Sequence, residues 1–138
     1  MAGELELAAI LCSLILGGET EVSHAYSVGY DLHRVRVDCE TEGTVIEVGL
    51  DKRSSLDSVQ QAIFAGSLTG KRPVVVLIDT DGREGPFELR IRTVSDLAGV
   101  DYLTWSADAL LRHEAAQAPH PAPAPLVRDR QPRPDEGS

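Results

Sequence analysis

Apolar residues change period several times along the chain, and each change marks an element. Residues 5–16 form the longest apolar run, with Leu7, Leu11 and Leu14 on one helical face. Glu4 and Glu6 open it and Gly17-Gly18 close it, as acids and glycine do at the two ends of a helix. About twelve residues is too short for a hydrocarbon core of about 30 Å, and no basic leader precedes them. The run therefore predicts a buried helix, with no membrane span and no targeting signal. Alternation follows over residues 23–30, a first strand, with Glu19 and Glu21 just ahead of it. In residues 34–39, Val35, Val37 and Cys39 take one face of a second strand, and Arg34, Arg36 and Asp38 take the other. Residues 40–43 (Glu-Thr-Glu-Gly) make a turn into a third strand, 44–50. There Ile46, Val48 and Leu50 share a face, and Glu47 stands in the middle of the other.

Helical spacing returns at Leu56, Val59 and Ile63, and Ser54 with Asp57 approximates a capping box, which predicts a helix over 55–68 ending before Gly70. Residues 73–79 are continuously apolar up to Asp79, as a strand covered on both faces would be. Phe87, Leu89 and Ile91 alternate with Glu88, Arg90 and Arg92, predicting another half-buried strand. Thr93 with Asp96 then opens a short helix ended by Gly99, residues 100–105 form a last strand, and Ser106 caps a helix through 117. Six prolines fall in residues 118–138, too polar a stretch to bury a core, so a disordered tail of polyproline character is expected. The pattern reads as one α/β domain over 1–117 with a tail at 118–138, and contains no internal repeat.

Charge narrows the partners. The net charge is −9, and residues 21–105 alone carry nine Lys and Arg against fourteen Asp and Glu. That balance excludes broad electrostatic attraction to nucleic acid unless the basic groups converge on one face. Cys12 and Cys39 lie in apolar surroundings without metal-ligand spacing, and are expected as buried thiols of a cytoplasmic protein. His24 and His33 flank the first strand and are expected to be structural. Asp79-Thr80-Asp81-Gly82 at the end of the apolar strand is a second possible metal constellation, and the strand with this motif resembles the haloacid-dehalogenase phosphotransferases. That family's motif opens a longer domain, however, and only 57 residues follow Asp81 here, so a turn before the next strand suffices.

The chemistry concentrates on Asp38 and Glu47, nine positions apart across the 40–43 turn. A carboxylate buried without a partner costs several kcal/mol, on the order of the penalty for any unpaired polar group. Two converging carboxylates repel, and a divalent cation removes both costs. A hard ion on one or two carboxylates with waters in its shell is the usual arrangement for phosphodiester hydrolysis. The alternative is a plain hairpin in which Asp38 caps a strand end and Glu47 pairs with Arg34 or Arg36.

Asp38, then Glu47-Val48-Gly49, then a Ser-capped helix carrying Gln60 and Gln61, then an apolar strand, resembles the PD-(D/E)xK nucleases, the restriction-endonuclease-like superfamily. The resemblance implies a core of helix, three strands, helix and strand over residues 3–79, with the remaining C-terminal strands and helix added to a mixed sheet flanked by helices. It implies Asp38 and Glu47 as ligands of Mg2+ or Mn2+, a further acid for which Glu21 or Glu19 is the candidate where neither is a solvated linker charge, and Gln60 and Gln61 as substrate-positioning residues. The family's lysine two residues after the second acid is replaced by Gly49, and Lys52 is the candidate to reach back in its place. Nucleic acid is the implied partner, and a homodimer or larger assembly the implied setting. Three function classes follow: a metal-dependent nuclease acting on DNA or RNA, a nuclease-fold protein retained for binding or regulation, and a small structural or interaction protein. Gly49 and the net acidity favour the second.

Overall fold

Five strands lie in one sheet in the order in which the chain makes them, β1 to β5. The computed structural model describes residues 3–51 and 56–117. Helix α1 (Glu4–Ile10) continues as a π-helical turn (Leu11–Leu16) and stops at Gly17, whose φ of +66° ends the helix. Then come β1 (Glu19–Val28), β2 (Asp31–Glu40), β3 (Thr44–Leu50), α2 (Leu56–Thr69), β4 (Arg72–Asp79), α3 (Pro86–Ala98), β5 (Asp101–Ser106) and α4 (Ala107–Gln117). The first three strands pair antiparallel, and β3, β4 and β5 pair parallel through the helical crossovers α2 and α3. Strands joined by short turns can run antiparallel, whereas parallel neighbours need a crossover. The general class expected from the sequence, a mixed sheet flanked by helices, is what the chain adopts. No helix among the described residues is long and apolar enough to cross a membrane.

Strand β4 explains the layering. Val74, Val76 and Ile78 pack with Leu7, Ile10 and Leu11 of the N-terminal helix and Leu110 of α4, while Val75 and Leu77 pack with Val59 and Ala62 of α2 and Ile91 of α3. Both faces are covered, so its sequence reads as an unbroken apolar run. On the outer strands, Glu40 is held by His24 and by Lys71, whose Nζ donates at 2.7 Å and also reaches the Thr41 carbonyl at 2.8 Å. Burial pushes the Glu40 carboxyl up, but these two bonds outweigh it and hold it below its usual range.

Three expectations are corrected. The half-buried strand expected at Phe87–Arg92 is the first half of α3. Its buried residues are Glu88, Ile91 and Ser95, a helical stripe, and Leu89 is exposed. Pro86 at the first helical position and Glu88 Oε1, which accepts from Gly85 N at 2.7 Å, set the start. Second, β1 begins at Glu19, so Glu21 lies within the strand and not ahead of it. Third, Cys12 and Cys39 are joined as a disulfide that ties the N-terminal helix to β2. Gly18 passes directly beside this bond, because a Cβ there would lie 2.7 Å from Cys39 Sγ and 2.9 Å from the Glu40 carbonyl oxygen. Neither is the free end of a flexible side chain, so Gly18→Ala is expected to cost about 1–3 kcal/mol. Urea midpoints measure this, and a midpoint equal to wild type would show that β2 shifts freely.

The tail expected at 118–138, the Ser54 cap and Lys52 lie outside the described residues.

Candidate functional site

The pairing of β2 with β3 is short. It runs Glu40↔Val45 and Cys39↔Ile46 and then stops. Continued by one step, the register would set Asp38 opposite Glu47. There the side chains replace the ladder: Asp38 N donates to Glu47 Oε2 at 3.1 Å, and Val48 N donates to Asp38 Oδ2 at 2.8 Å. Backbone N–H groups that lose their strand partner must find another acceptor, and the two carboxylates supply it.

The same level is irregular on the other side of β2. The β1–β2 ladder pairs Thr20↔Cys39 and resumes at Val22↔Val37, leaving out the Glu21–Asp38 step. Glu21 has φ +54°, the single non-glycine residue with positive φ among the described residues. A left-handed residue other than glycine costs about 1–2 kcal/mol, and strain of this kind collects at functional positions. The side-chain alternation also breaks here, since Val37 packs with Val45 and Ala65 beneath α2, whereas Cys39 packs in the cluster beneath α1. Val35, Val37 and Cys39 therefore do not share one face, which corrects the regular strand expected over 34–39. Glu21, Asp38 and Glu47 stand at one level of three neighbouring strands, at the point where both ladders are interrupted.

Glu47 is 3% exposed. Burial, reinforced by the charge of Asp38, pushes its carboxyl up to about 8, against the pull of the bond from Asp38 N. Burial also raises Asp38, with the Val48 N–H opposing and the charges of Glu4 and Glu21 adding to the shift. Asp38 and Glu21 open into a cavity of about 120 Å3 that Leu5, Ala8 and Ala9 of α1 close from above. Acids from α1, β1, β2 and β3 thus share one electrostatic neighbourhood. Glu4 was legible in the sequence only as a helix-start acid.

Gln60 and Gln61 are exposed on α2 and make no hydrogen bond to these acids. Gln60 instead lines an open hollow between α2 and α3 with Ile63, Phe64 and Val94. Gly49, where the resembled family has its lysine, is a buried β3 residue paired with Leu77.

A second acidic group contains Asp79 and Asp81, the other possible metal constellation of the sequence, and adds Asp51 and Glu88 to them. Asp51, Asp79, Asp81 and Glu88 gather at the C-terminal ends of β3 and β4 and the start of α3, with one oxygen from each lying within 4.8 Å of the others. Together they could hold a metal ion. Their bonds also build the loop: Asp51 accepts from Thr80 N (2.7 Å) and Thr80 Oγ1 (2.8 Å), and Asp79 Oδ1 accepts from Asp81 N and Gly82 N. Burial raises the Glu88 carboxyl, and the charges of Asp79, Asp51 and Asp81 raise it further. The Asp79-Thr80-Asp81-Gly82 segment was expected to turn into a strand, and it turns into α3. Asp51 and Glu88 belong to no sequence motif, and only the parallel pairing of β3 with β4 brings Asp51 to this loop.

Compared with protein-family models, with curated proteins and with solved structures, the chain matches none.

Proposed function

We propose that this protein is a metal-dependent phosphodiester hydrolase of the nuclease type, with Mg2+ or Mn2+ held by Asp38 and Glu47 and Glu21 as the adjoining acid. The observation that carries the reading is the placing of three acids at one level of neighbouring strands, where two ladders are interrupted, with the most buried of them, Glu47, raised to about 8. A pair of carboxyls that resists ionisation, as Asp38 and Glu47 do, is one that a divalent cation relieves, and oxygen donors suit a hard ion. Each of Asp38 and Glu47 spends one oxygen on a backbone N–H, which fixes its orientation and leaves a second oxygen for a ligand. Ion uptake requires Glu47 to release its proton, so affinity rises with pH toward 8. A bound divalent ion would supply positive charge against the phosphate undergoing attack. The order helix, three strands, helix, strand, with β3 and β4 parallel, supports the resemblance to the PD-(D/E)xK nucleases.

Gly49 favours a second reading. No cationic side chain comes from the position where the resembled family keeps its lysine, which is what a fold retained for binding would show. Incubation of labelled DNA and RNA with Mg2+, Mn2+ or EDTA separates the two. Wild type is expected to cut only with metal, Asp38→Asn and Glu47→Gln to fall to background, and Asp79→Asn to retain activity. Binding without cleavage in any metal would leave the second reading. Activity lost with Asp79→Asn and kept with Glu47→Gln would move the centre to the Asp51 group.

A further inference from the structure

Beyond Asp38, β2 pairs with β1 alone. The two strands continue as a ribbon of seven rungs, Val22↔Val37 to Val28↔Asp31, closed by a two-residue loop in which Gly29 has φ +61°. Its inner face is held down on α2, where Tyr26 meets the edge of Phe64 (ring centroids 4.9 Å apart) and stacks on His33. Its outer face is exposed and carries Arg34 and Arg36, with Ala25 and Ser23 directly opposite them. We propose that this outer face binds the phosphate backbone of a nucleic acid and leads it to the acids at the ladder break.

Three observations carry the assignment, which rests on the hydrolase reading for the place where the strand is delivered. The first is charge. In a chain of net charge −9, residues 22–37 hold two arginines against one aspartate. Arg34 has no acidic partner among the described residues, and Arg36 stays 66% exposed although its Nε lies 4.0 Å from Glu21 Oε1. The second is spacing. Alternate residues of a strand lie roughly 7 Å apart on one face, so the two guanidiniums form a short cationic line along the ribbon. Phosphate contacts from arginine and hydroxyl side chains are the sequence-independent part of nucleic-acid binding. Across the ribbon, Ser23 and Ala25 are small enough for a polymer backbone to lie close. The third is direction. The line ends at Arg36, beside the exposed Glu21 and two residues from Asp38, so a strand laid along it is brought to the open, Glu21 side of the acid group.

The test uses the full chain carrying Asp38→Asn, which keeps substrate intact, and labelled single-stranded and duplex DNA of one length over a range of salt. Arg34→Ser/Arg36→Ser is expected to raise Kd roughly tenfold or more and to flatten the slope of log Kd against log salt by roughly 1.5–2. Ala25→Glu, which sets a negative charge beside Arg34, is expected to weaken binding in the same direction, and Arg34→Lys/Arg36→Lys to restore most of the salt slope. Melting curves confirm that each variant is folded. Equal Kd and equal slope for the serine pair and the parent would overturn the proposal even if wild type cleaves. Absence of any binding by the parent would overturn it too. Binding that depends on the arginines, in a protein that never cleaves, would uphold this surface and remove the hydrolase.

Discussion

Glu47→Gln will be more stable than wild type at pH 9 and nearly equal to it at pH 5. The sign follows from the proton that Glu47 keeps in the fold. Its carboxyl titrates at about 8 when folded and near its ordinary 4.5 when unfolded, first because it is buried and then because Asp38 stands beside it. The folded state therefore holds this proton more tightly than the unfolded state does. The resulting stabilisation is full below about pH 4.5, shrinks as the pH climbs, and is gone once the pH has passed about 8. The whole excursion is on the order of 5 kcal/mol. Glutamine mimics the protonated acid at every pH, and its carbonyl oxygen still accepts from Asp38 N. Urea midpoints in EDTA at pH 5, 7 and 9 should show wild type falling and the variant holding. Parallel curves would mean that Glu47 ionises without cost. Adding Mg2+ at pH 8 should stabilise wild type by mass action and leave Glu47→Gln unmoved.

The second large effect belongs to the disulfide. Cys12 and Cys39 are separated by 27 positions, and both are fully buried. Closing a loop of that size in the unfolded chain is worth about 3–4 kcal/mol in the chain-entropy account. The Cys12→Ala/Cys39→Ala variant should therefore melt roughly 10–20 °C below wild type. Asp38 immediately precedes Cys39, so the same variant frees the segment that orients the acid, and metal affinity should fall along with stability. Calorimetry in the presence and absence of Mg2+ measures both. A melting point within a few degrees of wild type would show that packing of Leu11, Ile46 and Val76 already fixes the helix on the sheet. In a thiol-rich setting the protein would be held in this weaker state.

The sequence disclosed the elements whose neighbours in space are also neighbours in the chain. The 40–43 turn joins two strands that pair with each other, so Asp38 and Glu47 could be set side by side from periodicity alone. Strand β4 announced its interior position, between β3 and β5, because both its faces are apolar. Helix α3 was misread because Phe87, Leu89 and Ile91 alternate over a stretch too short to separate the two periods. The deciding signs, Gly85-Pro86 and a Glu at the third helical position, lie at its start. The disulfide was not legible, because pairing depends on where the π-helical turn sits over the sheet and cysteine spacing does not encode that. Glu21 was placed too early for a related reason. A strand that crosses a ladder break in a left-handed residue loses its alternation there, and alternation was the only signal available. The Asp51 group required knowing that β3 and β4 run parallel, which sets two distant strand ends together.

The strand order has a consequence for how the sheet can be built. Because β1 to β5 lie side by side in the order of synthesis, no later strand has to be inserted between two that are already paired. Each new strand needs only the edge left open by its predecessor, and the sheet can lengthen from the amino end while the chain is still emerging. The exposed step is the one at β4. Its six consecutive apolar residues, Pro73 to Ile78, dock on β3 and then form an open edge until α3 and β5 arrive. An open apolar edge is a template for pairing with another chain. The charged helix α3, which spans that interval, keeps the nascent edge short-lived by carrying β5 straight back to it.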